Sequence, residues 1–255
     1  MLLAVDVGNT ETMLGVFREH ELAWHWRMRT VPDRTADELA LLFGGFLEHH
    51  GLSFDRNVSA VVLSSVVPQA TQALREMVRE YFRFDPVVVE PGTKTGIPIR
   101  TDNPREVGAD RIVNAAAAVH RYGSPVIVVD FGTATTFDAV SEKGEYVGGA
   151  IAPGVQISGQ ALYRETARLP RVELVAPRSV IGTSTVEALQ SGLVFGYAAM
   201  VDGMVDRIAK ELGSPAVVAT GGLAPVMLEQ CERLDHHEPW LTLEGLQLIF
   251  DRNTE

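Results

Sequence analysis

The stretch that decides the fold is LLAVDVGNTETMLGVF at residues 2–17, because a close variant, VIVVDFGTATTFDAV, returns at residues 126–140. Each copy reads as an apolar strand ending in Asp, one apolar residue, a Gly with Asn or Thr, hydroxyl side chains and a second apolar strand. A single turn of this kind is also ordinary hairpin chemistry. Two copies, one at the head of each half of the chain, instead indicate a duplicated domain.

The segments that follow each copy predict two halves of similar design. In the first half we expect strands at 2–6, 11–17, 21–29, 58–63 and 87–90, and helices from Thr35 or Asp37 to about residue 50, at 68–82 and at 105–122. In the second half we expect strands at 126–130, 134–140, 146–151 and 217–219, an irregular segment at 152–170, and helices at 186–212, broken near Gly203, and 242–251. The pattern therefore predicts two α/β halves that each begin with a three-stranded meander.

Composition limits the class of protein. The 255 residues are 46% hydrophobic and 22% charged, as in an ordinary globular enzyme. The net charge of -11 argues against a binder of nucleic acid or of anionic membranes, which needs basic surface. The single cysteine, the lack of a secretory signal and the lack of an apolar run of about 18 residues predict a cytoplasmic protein without a membrane span.

The repeated turn has the chemistry of a phosphate site. Glycine lets the backbone approach an anion closely, and successive N–H groups in such a turn form a concavity for phosphate oxygens. The carboxylate at each strand end would repel phosphate directly, but it can hold the cation, or its water shell, that accompanies a nucleotide. Hydroxyl donors are supplied by Thr10, Thr12, Thr133 and Thr135. Because interdomain clefts are favoured ligand sites, we expect the two turns to face one nucleotide.

Three motifs in order resemble those of a known superfamily. DVGNT, DFGTATT and ATGGLAP (residues 219–225) are similar to the first phosphate, second phosphate and adenosine motifs of sugar kinases, Hsp70-type ATPases and actin. The resemblance implies an α/β fold of two duplicated ribonuclease-H-like halves, each a mixed sheet with flanking helices. It implies an N-terminal lobe at 1–120, with the substrate motif at its end, and a C-terminal lobe at 121–255 with the second phosphate and adenosine motifs and a dimer helix.

A sharper resemblance lies between the halves and runs the length of the chain. DNPREVGADRIVNAAAA (residues 102–118) and GTSTVEALQSG (residues 182–192) resemble type III pantothenate kinase. The resemblance implies phosphorylation of the primary hydroxyl of pantothenate by ATP, giving 4'-phosphopantothenate in the first step of coenzyme A biosynthesis. It also implies Mg²⁺ with the ATP, a monovalent cation (K⁺ or NH₄⁺) and a homodimer.

The same resemblance assigns roles to individual residues. Asp110 is implied as the catalytic proton acceptor, Asp130 as the residue tied to the monovalent cation, and Asp6 as a magnesium residue acting through water. The implied ATP-binding residues are Asp6, Val7, Gly8, Asn9, Thr10, Glu11, Thr12, Met13, Thr133, Gly221 and Gly222. The implied substrate-binding residues are Gly108, Ala109, Asp110, Arg111 and Thr185. Helix capping is the alternative role for Asp110 and for Thr185.

Two other functions stay open. Thr101 stands where the family often carries a tyrosine in contact with substrate, so a kinase of another small hydroxy acid or sugar is one alternative. A nucleotide-binding regulator that keeps the fold without the chemistry is the other. Asp110 and Arg111 argue against the regulator, because a switch needs no proton acceptor beside an arginine suited to a carboxylate.

Overall fold

The computed structural model of the protein describes residues 1–254, which form two compact units. Unit 1 contains Met1–Gly96, Asp102–Ala117 and the chain from Leu241 onward, and unit 2 contains Ile97–Thr101 and Ala118–Trp240. This division differs from the boundary expected near residue 120. The last helix returns to the first unit because its apolar side chains, among them Leu243 and Leu246, are buried there.

The described residues form ten strands and eight α-helices. The strands are β1 (Leu2–Val7), β2 (Glu11–Arg18), β3 (Glu21–Arg29), β4 (Ala60–Ser65), β5 (Val87–Val88), β6 (Val126–Phe131), β7 (Ala134–Val140), β8 (Tyr146–Pro153), β9 (Ala216–Thr220) and β10 (His236–His237). The helices are α1 (Ala36–Glu48), α2 (Phe54–Asn57), α3 (Pro68–Met77), α4 (Ala109–Tyr122), α5 (Val155–Glu165), α6 (Thr185–Leu212), α7 (Ala224–Leu228) and α8 (Leu241–Thr254). A π-helical turn at Val78–Phe82 extends α3, and a 3₁₀ turn at Pro104–Glu106 precedes α4.

The two sheets have the same topology. In unit 1 the strand order is β3-β2-β1-β4-β5, with β2 antiparallel to both neighbours and β4 and β5 parallel to β1. In unit 2 the order is β10-β9-β6-β7-β8, which repeats every strand direction with β6 in the place of β1. The duplication predicted from the repeated turn is confirmed at the level of the fold.

Local sequence explains how the helices of unit 1 begin and pack. Thr35, one of the two predicted caps, starts α1 with a capping box: its hydroxyl accepts from Glu38 N at 3.3 Å, and its own N–H donates to Glu38 Oε2 at 2.9 Å. The apolar face behind it, including Phe43 and Leu47, is buried against the sheet core.

Two predictions for unit 2 are wrong. The segment expected to be irregular contains α5, whose start follows Gly154, and its Gly159 lies against Leu193 of α6. A Cβ on Gly159 would lie 3.1 Å from Leu193 Cδ1, so the glycine that weakens the helical signal allows the close helix contact. The break expected near Gly203 does not occur, and α6 runs through it without interruption.

One helix of the described part, α6, is long and apolar enough by composition to cross a membrane. Part of this apolar surface belongs to the core of unit 2, where Ala198, Val201 and Val205 pack against the sheet. Core helices pass the same composition test, so this finding alone is weak evidence for a membrane span.

Candidate functional site

Thr30 forms hydrogen bonds to the first glycine turn, which connects β1 and β2. Gly8 N donates to Glu11 O at 3.0 Å, and the Thr30 hydroxyl donates to Gly8 O at 2.8 Å. Thr30 also donates its backbone N–H to Thr10 O at 2.9 Å, and its hydroxyl lies 2.8 Å from that of the buried Thr12. Sequence reasoning missed Thr30, although its place one residue beyond the end of β3 opposite the turn was a usable signal.

The eight predicted residues of this turn do not all face solvent. Asn9, Thr10 and Glu11 are exposed, whereas Val7 and Thr12 are buried, at 1% and 3% exposure. Buried side chains cannot donate to a phosphate at the surface of the turn. The side chains of Val7 and Thr12 are therefore shielded from a ligand at the surface of the turn, whereas those of Asn9, Thr10 and Glu11 are accessible.

Asp6, the next-to-last residue of β1, lies in an acidic environment. Ser64 on the neighbouring β4 donates a hydrogen bond to Asp6 Oδ1 at 2.5 Å, which favours the carboxylate. Burial, and next the negative charge of Asp110, oppose it and raise the pKa of Asp6 to about 7. Two predicted site residues separated by 104 positions are thus brought together in unit 1.

Asp110 is the second residue of α4, and its carboxylate points back along the chain and lies close to Gly108. The N–H of Arg111 donates to Asp110 Oδ1 at 2.9 Å, and a Cβ on Gly108 would lie 2.5 Å from the same oxygen. Only glycine leaves room for this carboxylate position. Burial raises the pKa of Asp110, while the N–H and the guanidinium of Arg111 oppose that rise. The four predicted residues 108–111 lie next to one another at the start of α4, and each is half-buried.

In unit 2 the second glycine turn and the late Gly-Gly turn converge on the end of β6. Gly221 has a φ of +93°, and a Cβ there would overlap Asp130 Oδ1 and lie 2.6 Å from Phe131 N. Leu223 N then donates to Phe131 O at 3.2 Å. Only glycine fits at position 221, for its backbone conformation and for lack of space.

The remaining predicted residues of this part of unit 2 lie beside it. Thr133 and Gly222 are exposed, and the carbonyl of Thr133 accepts from Gly154 N at 3.1 Å. The hydroxyl of Thr135, on the same hairpin, is fully buried and has no hydrogen-bond partner among the described residues. An orphaned donor of this kind is costly unless a ligand or water completes it.

A cavity of about 500 Å³ opens next to Leu223. Its walls come from α5, the segment at 170–174 and α6, and they combine leucines with amide, phenol and guanidinium groups. Gln156, Gln160, Tyr163 and Arg171 supply these polar groups. A pocket of this size and mixed character is typical of a small-molecule site.

Thr185 and Thr101 belong to unit 2, whereas residues 108–111 belong to unit 1. Thr185 is the exposed first residue of α6, and the alternative that it caps this helix is wrong: Ser184 is the N-cap and accepts from Glu187 N at 3.2 Å. Thr101 lies near Gly148, and its buried hydroxyl has no hydrogen-bond partner in the described chain.

Comparison with known proteins gives the family. A family model described as type III pantothenate kinase matches residues 2–207. This chain belongs to the type III pantothenate kinase family. A type III pantothenate kinase of Streptomyces coelicolor is 54% identical, over 99% of this chain and 98% of its own length. A relative of the same name from Frankia casuarinae is 57% identical, over 99% of this chain and all of its own, and one from Moorella thermoacetica is 52% identical over both full lengths.

Solved structures show the fold of the family more widely. A protein described as a Baf family transcriptional activator from Campylobacter jejuni has a TM-score of 0.61 at 19% identity, covering 98% of each chain. The activator of 2-hydroxyisocaproyl-CoA dehydratase from Clostridium difficile, with bound ADPNP, has a TM-score of 0.56 at 12% identity, covering 99% of this chain and 95% of its own. These likenesses confirm the predicted fold class of two ribonuclease-H-like halves, and the family match confirms the resemblance.

The side chains also limit how metal ions could be held. The described residues contain no cluster of three or more His, Cys, Asp or Glu side chains that could hold a metal. Asp6, with its pKa near neutrality beside a second carboxylate, is a position where a divalent cation would be favourable. Such a cation would take most of its ligands from phosphate and water, which is how Mg²⁺ usually accompanies a nucleotide.

Proposed function

We propose that this protein phosphorylates the primary hydroxyl of pantothenate with ATP, giving 4'-phosphopantothenate for coenzyme A biosynthesis. The observation that carries the proposal is the start of α4 at residues 108–111, where a half-buried carboxylate close enough to raise the pKa of Asp6 is followed directly by an arginine. The full-length relatives at 52–57% identity bear the name of this activity. We propose residues 1–120 for the first phosphate turn and the substrate motif, and residues 121–255 for the second phosphate turn, the adenosine turn and the dimer helix.

In the proposed mechanism Asp110 takes the proton of the attacking hydroxyl. Its raised pKa makes it a better proton acceptor than an ordinary aspartate, and a positioned base contributes about 10²–10⁴-fold to the rate. Arg111 offers a planar pair of donors to the carboxylate of pantothenate. Gly108 and Ala109 line the same surface, and Thr185 supplies a hydroxyl from the start of α6.

We assign the binding of the ATP phosphates to the backbone of residues 6–13 in unit 1 and to the exposed Thr133 in unit 2. Mg²⁺, held by the phosphates and through water by Asp6, would neutralise charge on the transferred group. Asp6 would then be ionised in the loaded enzyme, because a nearby dication favours the carboxylate.

The monovalent cation, K⁺ or NH₄⁺, and the nucleoside are assigned to unit 2. Asp130 supplies a carboxylate at the end of β6, and the orphaned Thr135 hydroxyl is a further oxygen donor on that hairpin. Gly221 and Gly222 form the turn proposed for adenosine. The neighbouring cavity, with Leu223 in its wall, has the volume and polarity for a nucleoside.

The assembly we propose is a homodimer in the cytoplasm, without nucleic-acid or membrane partners. Within the described chain, eight of the ten exposed large hydrophobic side chains lie between residues 147 and 186 of unit 2. They are Val147, Ile151, Ile157, Leu162, Val175, Val180, Ile181 and Val186. Apolar side chains concentrated in one region of a chain are typical of an interface, and a second copy is the occupant that the family resemblance implies.

The test is ADP release by the purified protein with ATP, Mg²⁺ and K⁺, measured with and without pantothenate. We expect ADP only when pantothenate is present, and a fall of at least about 100-fold in kcat for Asp110→Asn. Asp33→Asn, at an exposed loop carboxylate, is the control and should match the wild type. ADP release that does not depend on pantothenate would reject the function, and near-normal turnover by Asp110→Asn would reject Asp110 as the base.

Sedimentation of the Ile181→Asp variant tests the proposed dimer, because the introduced charge should dissociate it.

A kinase of another small hydroxy acid or sugar is the second candidate. Thr101 favours it, since an unpartnered buried hydroxyl stands where the family often carries a tyrosine against the substrate. The same assay with a panel of hydroxy acids and sugars decides between the two. Higher kcat/KM for any of these than for pantothenate would replace the first proposal.

A further inference from the structure

Helix α8 contacts both of the structural elements that carry the acidic site residues Asp6 and Asp110. Asp6 lies on β1, against which α8 packs, and Asp110 lies at the start of α4, which α8 also touches. The separation of the two carboxylates depends on where α4 lies relative to the sheet. A helix that packs on both elements is therefore placed to set that separation.

On the side of the sheet, α8 is held by a leucine that fits over a glycine. Leu243 is fully buried, and a Cβ on Gly15 of β2 would lie 2.9 Å from Leu243 Cδ1. Gly15 is two residues from Met13, the residue that pairs with Asp6 in the sheet. The packing of Leu243 on Gly15 fixes the distance between α8 and the strands that carry the Asp6 turn.

On the side of α4, two residues of α8 about one turn apart meet the helix that carries Asp110. The Thr242 hydroxyl donates to Asn114 Oδ1 at 2.7 Å, and both residues are buried. A Cβ on Gly245 would lie 2.5 Å from Val113 O, so the two helix backbones touch at this point. Asn114 is four residues after Asp110, on the same face of α4 one turn along.

We propose that Thr242 and Gly245 are positioning residues that set the place of the Asp110 carboxylate relative to Asp6. This inference rests on the proposed function, because it concerns the geometry of the proposed base. Gly245 sets how closely α4 approaches, and the hydrogen bond from Thr242 to Asn114 sets the rotation of α4 about its axis. Neither residue contacts substrate in this role.

The first test is Gly245→Ala. Ordinary van der Waals contact begins near 3.4 Å, so a contact of 2.5 Å requires α4 and α8 to separate by about 0.9 Å. A misplacement of about 1 Å costs about 100-fold in rate, so kcat should fall by that factor while the KM for ATP stays unchanged. Gly45→Ala in α1 is the control, since nothing lies within 4 Å of its added methyl group, and it should keep full activity.

The second test needs no steric insertion. Thr242→Val keeps the shape of the side chain but removes the donor to Asn114, and we expect about a tenfold lower kcat, in line with one lost hydrogen bond. Thr242→Ser keeps the hydroxyl and should restore most of the activity. A role in stability alone would lower the melting temperature of both variants without this difference in kcat.

The third measurement does not depend on activity. Crystal structures of the wild type and of Gly245→Ala should show the Asp110 carboxylate displaced from Asp6 by about 1 Å in the variant. Unchanged carboxylate positions, or equal kcat for Thr242→Val, Thr242→Ser and the wild type, would overturn the inference. If the wild type released no pantothenate-dependent ADP, the proposed function would fail, and the displacement would still decide this inference.

Discussion

Asp6 is expected to lower the stability of the unliganded protein, and Asp6→Asn should therefore stabilise it. The pKa of Asp6 is raised from 3.8 to about 7, mainly by burial and next by Asp110. A group whose pKa is raised in the folded state binds more protons there than in the unfolded chain, so stability falls as pH rises between those two values. The full loss of stability caused by Asp6 is present above about pH 7 and disappears as the pH falls towards 4.

The size of this effect follows from the same shift. Raising a pKa from 3.8 to about 7 corresponds to about 4 kcal/mol at most. Because Asp6 keeps part of its surface in solvent, we expect about 2–4 kcal/mol, which for a chain of this length raises Tm by about 5–10 °C. The substituted asparagine side chain would carry no charge but would still accept the hydrogen bond from Ser64.

The assay is calorimetry of the wild type and of Asp6→Asn between pH 4.5 and 8, without nucleotide or Mg²⁺. We expect a higher Tm for Asp6→Asn at pH 8 and a much smaller gain at pH 4.5, whereas the control Asp33→Asn should follow the wild type throughout. The kinase activity of Asp6→Asn should fall, as expected where a functional residue lowers the stability of the folded protein. A lower Tm for Asp6→Asn at pH 8, or a gain that does not vary with pH, would refute the reasoning.

Two further predictions concern other parts of the site. Gly221→Ala should abolish ATP binding and destabilise unit 2, because its methyl group would overlap Asp130 Oδ1. The control is Gly92→Ala, at a similar positive φ of +107° with nothing within 4 Å of the added methyl group. It should lower the free energy of unfolding by only about 1–2 kcal/mol. Isothermal titration with an ATP analogue checks this pair, and intact binding by Gly221→Ala would exclude the proposed turn. Arg111→Lys should raise the KM for pantothenate about tenfold with the KM for ATP unchanged, since lysine cannot form the paired hydrogen bonds; steady-state kinetics would contradict this if both KM values rose together.

Strong local signals made most of the fold predictable. The apolar runs and turn residues within 2–29 predicted the meander to within one residue at each strand end, and one of the two predicted caps, Thr35, does begin α1. The repeated turn predicted a second sheet, which the strand order confirms. These elements share a feature: the residues that determine them are neighbours in sequence.

The parts that could not be predicted depend on contacts between distant segments. Helix α5 contains Gly159, which is unfavourable for a helix taken alone and is compensated by packing on α6. Thr30 supports the Gly8 turn across 22 positions, and Ser64 reaches Asp6 across 58. The return of α8 to unit 1 combines burial of its apolar side chains with the close contact of Gly245 and Val113, and no periodicity in either segment indicates that contact.

The two copies of the turn differ at the strand next to each aspartate. In unit 1 Asp6 pairs in register with Ser64, whose hydroxyl donates to the carboxylate. In unit 2 Asp130 pairs with Thr220 in the equivalent place, but the hydroxyl of Thr220 donates at 2.8 Å to the carbonyl of Glu238, beyond β10. The backbone of Gly221 lies against Asp130 instead. A duplicated frame thus gives two aspartates with different surroundings, one held beside a second carboxylate and one packed under a glycine turn. These different surroundings suit the different roles that we propose, with Asp6 near Mg²⁺ and Asp130 near the monovalent cation.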